Sequence, residues 1–240
     1  MTKRLLYWQD LPTPAFQVFD RPDQAMDDDL AFPLFAKPSR EGTGMGVSAE
    51  SIVYNEAELR AQVRHLLEKY QQPVLVERYI EGREVTVGVI GNLQRPASRR
   101  LPEGWCGSNL LEGLHFFPPL EIDLTQFLNT DGVYSNRLKV DLADQLNYLC
   151  PAPLDSSLVT TLNCLTAAVF RIIGALDVSR VDFRLDMHDN LRPYILEINP
   201  LPGLSPGISD LVIEAAAEGI EHAELVNMIL NTALRRYDMI

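Results

Sequence analysis

The stretches Val178-Ser-Arg-Val-Asp-Phe-Arg-Leu-Asp186 and Tyr194-Ile-Leu-Glu-Ile-Asn199 alternate charged or polar residues with large apolar ones. A period of two is the pattern of a strand with one buried face. It puts Arg180, Asp182, Arg184 and Asp186 on one face and Val181, Phe183 and Leu185 on the other, while Glu197 and Asn199 lie opposite Leu196 and Ile198. Strands over 178–186 and 193–199, joined by His188-Asp-Asn190, are expected to form a hairpin. If its loop has an even number of residues, cross-strand partners have numbers with an odd sum, and Asp182 shares a face with Glu197 and Asn199. Two carboxylates and an amide oxygen make a hard-oxygen site suited to a small divalent cation such as Mg²⁺, which takes few protein ligands beside water and phosphate. Arg180 beside them can neutralise an oxyanion. The solvated outer face of an antiparallel sheet fits the same pattern.

Upstream, Ser156 or Ser157 is expected to cap a helix in which Leu158, Leu162, Leu165, Val169 and Ile172 share a face, ending at Gly174. Downstream, helices over 208–218 and 222–236 are broken at Gly219. Nearer the start, residues 1–10 read as a short helix and Ala15–Phe19, Phe32–Ala36, Val74–Glu77 and Glu84–Ile90 as strands. Asn55 with Glu58 resembles a capping box, opening a helix through Leu59, Val63, Leu66 and Leu67 to Tyr70. Residues 93–153, rich in Pro, Gly and Asn, read as one or two short strands in long loops, which are often functional.

A strand leads into Phe35-Ala-Lys-Pro-Ser-Arg-Glu-Gly-Thr-Gly-Met-Gly-Val47. Gly42, Gly44 and Gly46 let backbone approach a ligand closely and turn N–H groups toward phosphate oxygens. The spacing matches neither a Walker loop nor the dinucleotide fingerprint. A phosphate lid behind Lys37 and a plain flexible hairpin both fit it. Likewise Glu77 and Glu84, at the ends of neighbouring strands, fit acceptors for an amino group and for vicinal hydroxyls, or ordinary surface charge around a Gly82 turn.

The 240 residues are 46% apolar, enough for a real core, and the net charge of -12 repels a phosphate backbone and anionic headgroups alike. No nucleic-acid or membrane partner is expected. Cys106, Cys150 and Cys164 form no CxxC pair, and an odd number closes no disulfide framework, so a reducing cytoplasm is the expected location. The start lacks an apolar leader, and the apolar run 158–176 contains Thr, Asn and Arg and reads as amphipathic. His65, His115, His188 and His222 sit in no triad or zinc spacing.

Five blocks stand in the order of the ATP-grasp carboxylate–amine ligases: Lys37-Pro-Ser-Arg-Glu-Gly-Thr-Gly-Met-Gly46, Val74-Leu-Val-Glu-Arg-Tyr-Ile-Glu-Gly-Arg-Glu84, Tyr148-Leu-Cys-Pro-Ala152, Arg180-Val-Asp-Phe-Arg-Leu-Asp186 and Leu196-Glu-Ile-Asn-Pro-Leu-Pro-Gly-Leu204. From about Lys3 to the C-terminal helices, the chain resembles the D-alanine–D-alanine ligases. The resemblance implies an α+β, ATP-grasp fold, with two α+β subdomains whose antiparallel sheets enclose a nucleotide. Residues 1–84 would form the small subdomain with its glycine lid, and 85–240 the large one with the metal site and a closing loop. It implies Lys3 and Lys37 at the nucleotide phosphates with Thr43 in the lid, Glu77 and the backbone near Arg78 and Ile80 at adenine, and Glu84 at the ribose. Lys139 would lie on the loop closing over the γ-phosphate. Asp182, Glu197 and Asn199 would hold Mg²⁺ or Mn²⁺, with Arg180 facing an acyl phosphate and the tetrahedral intermediate.

The implied substrates are ATP and amino acids. The family's usual chain has an upstream domain that contacts the first amino acid, so a separately encoded N-terminal partner or a second copy of the chain is expected. After Asn199 the run Pro-Leu-Pro-Gly-Leu-Ser-Pro-Gly-Ile-Ser stands where the family has Thr-Ser-Pro-Gly-Met and a serine for the second substrate's carboxylate. Three readings follow: a ligase for D-alanine, a ligase for another amino acid pair, or a truncated ATP-binding module without ligase activity.

Overall fold

The computed structural model describes residues 2–42, 44–93, 101, 106, 111–124 and 146–240. It contains two compact units, a larger one of Met1–Thr13, Gly82–Ile122 and Tyr148–Ile240 and a smaller one of Pro14–Glu81 and Asp123–Asn147. The expected division after residue 84 falls close to the change of unit at Gly82. The first thirteen residues differ from expectation, because they pack in the larger unit. Burial is the reason: helix α1 (Thr2–Trp8) sinks Leu6 into that unit's core, with Leu11 beside it.

In the smaller unit, β1 (Phe16–Phe19), β2 (Leu34–Pro38), β3 (Ile52–Val53) and β4 (Val74–Arg78) form an antiparallel sheet in the order β1-β4-β2-β3. Helix α2 (Glu56–Tyr70) buries Leu59, Val63 and Leu66 against Phe19, Leu34, Ala36, Val74 and Val76. Its start is capped as the sequence suggests, the Asn55 Oδ1 accepting from the Glu58 N–H at 3.0 Å. The Glu58 carboxylate reaches back one residue further than a capping box requires, to the Tyr54 N–H at 2.8 Å.

In the larger unit, β5 (Gly82–Gly91), β6 (Leu114–Phe116), β7 (Leu120–Asp123), β8 (Asn147–Leu149), β9 (Asp177–Asp186) and β10 (Arg192–Asn199) build a second sheet. Its order is β10-β9-β5-β7-β8, with β6 also on β5. Among the described residues, the segment read as one or two short strands thus carries three. Helix α3 (Ser156–Ile173) covers the apolar face, packing Leu162, Leu165, Val169 and Ile172 with Val85, Val87, Val181, Phe183, Leu185 and Ile195. Its cap is Asp155 and neither serine: the Asp155 Oδ1 accepts from the Leu158 N–H at 2.8 Å and from the Ser157 hydroxyl at 2.6 Å. Gly174, at φ +74°, ends the helix. Among the described residues α3 alone has the length and apolarity to cross a membrane, and half of it is buried inside the unit.

On the sheet's other face, helices α4 (Asp210–Ala217) and α5 (His222–Arg236) pack Leu211, Val212, Ala215 and Leu225 against Ile90, Phe117 and Val178. The expectation of unpaired thiols is corrected here. Cys106 and Cys164, with Cα atoms 5.3 Å apart, are joined in a disulfide, and Cys150 is free.

Candidate functional site

The loop from β9 to β10 has five residues, Met187–Leu191, so the parity condition stated for the hairpin is not met by the turn. From Arg192↔Asp186 to Ile195↔Phe183, partner numbers have even sums. Continued, that register would set Leu196 against Asp182 and turn Glu197 to the apolar face beside Val181. A bulge between Ile195 and Glu197 absorbs Leu196, and beyond it Glu197 pairs with Asp182 and Asn199 with Arg180. The bulge therefore does what an even loop was expected to do. It lets Ile195 enter the core while Glu197, two residues on, joins the charged face.

Residues from the start of the chain hold this bulge. The Ile195 N–H donates to the Pro12 carbonyl at 2.8 Å, and the Ile195 carbonyl accepts from the Thr13 hydroxyl at 3.0 Å and the Lys3 ammonium at 3.1 Å. Lys3, a residue implied at the phosphates, is thus nearly buried within the larger unit, and its ammonium also donates to Thr13 Oγ1 at 2.9 Å.

Asp182 is gripped by Arg180 through both carboxylate oxygens, Nε to Oδ1 at 2.8 Å and Nη2 to Oδ2 at 3.1 Å. Thr86 donates to Oδ1 at 2.8 Å and the Asn199 amide to Oδ2 at 2.9 Å. The remaining Arg180 nitrogen, Nη1, meets Asp210 Oδ2 at 2.9 Å. One turn along α4, Glu214 is fully buried, with the Gly88 backbone as a polar neighbour of its carboxyl. It fits because Gly88 lies directly opposite Arg180 on β5; a Cβ there would stand 2.2 Å from Glu214 Oε2.

Burial opposes the charge of Arg180, but Asp182, Asp210 and Glu214 outweigh it and hold the guanidinium pKa well above its ordinary value. For Glu214 burial dominates, and Asp210 and Asp182 add to it against Arg180, so its carboxyl is pushed well above the carboxylate range. No group of three His, Cys, Asp or Glu side chains that could hold a metal occurs among the described residues. The set Asp182, Glu197 and Asn199 is instead two carboxylates with an amide oxygen, hard donors that fit Mg²⁺ completed by water and phosphate. Asp210 and Glu214 were missed in the sequence. Their signal was there: two acids a turn apart in the otherwise apolar Asp210–Ala217 segment.

Toward the turn, Arg184 donates to Glu84 Oε2 at 2.8 Å and to the Gly82 carbonyl at 3.2 Å. In the smaller unit, Phe35 pairs with Glu77 and Lys37 with Leu75, so Phe35, Lys37 and Glu77 share the face turned away from α2. The Lys37 ammonium lies 3.0 Å from the buried Glu77 carboxylate. The Arg78 N–H donates to Ala15 and the Tyr79 N–H to Pro33, while the Ile80 side chain is buried. In the glycine loop, Gly44 and Gly46 have φ of +68° and +77°, and the Met45 and Val47 N–H groups donate back to Gly42 and Gly44. Thr43 and Lys139 lie outside the described residues. In the segment after Asn199, Ser209 Oγ accepts from the Ser205 N–H at 2.9 Å and Ile208 is exposed.

Residues 5–101 and 118–231 match the family model described as D-ala D-ala ligase C-terminus. The chain is 33% identical over 237 residues to the protein y4sG of Sinorhizobium fredii (strain NBRC 101917 / NGR234), covering 99% of this chain and 62% of that protein. It is 33% identical over 236 residues to the D-alanine–D-alanine ligase of Syntrophotalea carbinolica (strain DSM 2380 / NBRC 103641 / GraBd1), covering 98% and 65%. The solved D-alanine–D-alanine ligase from Bacillus anthracis complexed with ATP matches with a TM-score of 0.69 at 23% identity, over 98% of this chain and 64% of that one, a likeness of fold. The chain thus spans slightly under two thirds of the length of these relatives. With the ordered sequence blocks, two antiparallel-sheet units and a family model matched along most of its length, the chain belongs to the D-alanine–D-alanine ligase C-terminal family and has its ATP-grasp fold.

Proposed function

We propose that this chain carries the ATP-binding and catalytic part of a carboxylate–amine ligase of the D-alanine–D-alanine ligase type. A carboxylate oxygen attacks the γ-phosphorus of ATP, ADP leaves, and the acyl phosphate forms; an amine then attacks the acyl carbon, phosphate leaves, and an amide results. Such chemistry asks the protein mainly to align reactants and neutralise charge. The observation that carries the reading is the bulge that brings Glu197 opposite Asp182, beside Asn199 and Arg180. Asp182, Glu197 and Asn199 would hold Mg²⁺, which when bound supplies positive charge to the phosphates. Arg180 serves the acyl phosphate. Lys3, Lys37, Glu77, Glu84 and the backbone near Arg78 and Ile80 serve the nucleotide, with Thr43 and Lys139 in the closing segments. Amino acids are the substrates, a cell-wall peptide is the product class, and the ATP pool of the cytoplasm is the setting.

The test is ADP release from the purified chain with MgATP, with and without D-alanine, beside Glu197→Gln. Stimulation by D-alanine and a loss of at least about 100-fold in the variant are expected, since several kcal/mol of charge stabilisation goes with the metal. An unchanged rate in Glu197→Gln would sink the metal assignment. The run after Asn199 favours a second reading, a ligase for a different amino acid pair, because the exposed Ile208 stands where the family has a serine for the second substrate's carboxylate. A panel in which another amino acid, and not D-alanine, stimulates ADP release would select it. MgATP binding with no amide from any pair would leave a nucleotide-binding module.

A further inference from the structure

We infer that Asp210 is a second anchor for Arg180, placed so that Asp182 can turn toward a divalent cation without setting the arginine loose. The inference rests on the metal reading of Asp182. Both oxygens of Asp182 are engaged by Arg180, and each accepts a further bond, from Thr86 and from Asn199. A carboxylate held in this way yields an oxygen to a cation only by giving up one of these bonds, and turning the group to do so loosens its grip on the guanidinium. The Arg180 side chain is 11% exposed, so a guanidinium released there would be a buried charge without its partner, which is strongly unfavourable.

Asp210 removes that difficulty. It approaches from a different element, α4, and takes the nitrogen that Asp182 does not use, Nη1 at 2.9 Å. Glu214, on the same side of α4, occupies the space that Gly88 leaves beneath Arg180 and brings the helix's acidic side against the strand. The charged groups around the guanidinium are then Asp182 from β9 and Asp210 and Glu214 from α4, while Thr86 from β5 and Asn199 from β10 bond to Asp182. Asp210 touches no reacting atom in this arrangement. It is a positioning residue, acting through Arg180.

The experiment is Mn²⁺ binding to the full chain in the presence of ADP, read as free Mn²⁺ by electron paramagnetic resonance. Four proteins are compared: wild type, Asp210→Asn, Arg180→Met and the double variant. Asp210→Asn is expected to weaken Mn²⁺ binding by about 10-fold, the range seen when supporting partners of metal ligands are removed. Arg180→Met should then restore it, with a larger gain in the Asp210→Asn background than in wild type, because no arginine is left to compete for Asp182. Equal gains in the two backgrounds would mean plain charge addition and overturn the inference. Unaltered binding in Asp210→Asn would overturn it as well. Should Asp210→Asn melt early, Asp210→Ser is held to the same two outcomes. A wild-type chain that binds no Mn²⁺ removes the metal reading and this inference together, whereas binding with additive changes removes only the inference.

Discussion

Arg180 and Arg184 stand on one face of β9, four residues apart, in the same alternating pattern, yet their surroundings differ. Arg184 meets Glu84 across the ladder and a backbone carbonyl, an ion pair that closes locally. Arg180 sits among Asp182, Asp210 and Glu214, so acids outnumber it. A place with surplus buried acid is costly unless protons or a cation enter, and perturbed groups of this kind gather at functional sites. The comparison teaches that alternation alone does not tell the two arginines apart. The bulge, the glycine at 88 and the acids of α4 do.

The largest expected contrast comes from removing one acid at each arginine. Asp182→Asn should lower ligase turnover by at least about 100-fold through loss of metal-borne charge stabilisation. Glu84→Gln should raise KM for ATP several-fold and leave Mn²⁺ binding as it is. Steady-state ADP release with Mn²⁺ titration reads both, and equal losses at the two sites would erase the distinction. A smaller effect is expected from Gly88→Ala. Its Cβ would crowd Glu214 Oε2 and a Leu211 methyl at 2.4 Å, so about 1–3 kcal/mol of stability should be lost in urea unfolding, as for overpacked cores. Part of that loss should return when Glu214→Ala is added; no return would mean that Glu214 does not occupy the space.

The smallest effect is a slope. Glu214 has its folded pKa raised, so folding keeps a proton that the unfolded chain gives up near pH 4.3, the ordinary value of about 4.3 for glutamate. Wild-type stability should therefore decline relative to Glu214→Gln as pH rises through and above the ordinary carboxylate range, whatever the absolute offset between them. Parallel stability curves across that range would place the carboxyl in a wetter setting than its burial indicates.

Much of the architecture was legible because it follows from local rules: period-two strands at β9 and β10, the Asn55 cap of α2, the glycine stop of α3. The metal face was legible as residue types, but its register was not. Strand alternation groups Ile195 with Glu197, and only the demand to bury Ile195 against Phe183 forces the extra residue. The first thirteen residues were misplaced for a related reason, since their partners lie far along the chain. Asp155 prevailed over the following serines as cap, and Cys106 found Cys164, through three-dimensional proximity that spacing does not encode. Asp210 and Glu214 have the spacing of a helix's polar side, and only the room that Gly88 leaves opposite Arg180 turns Glu214 inward.

The clamp of Lys3, Pro12 and Thr13 on Ile195 carries a consequence for the order of assembly. The turn between β9 and β10 can close early, being local, but its register alone would turn Glu197 to the apolar face. The frame shifts by one residue at Ile195, where Lys3, Pro12 and Thr13 hold the strand, so residues 3–13 act as typesetter and residues 195–199 as line. The clamp and the strand that it aligns lie 182 to 192 residues apart in sequence, so the site is complete only once contacts of long sequence separation have formed.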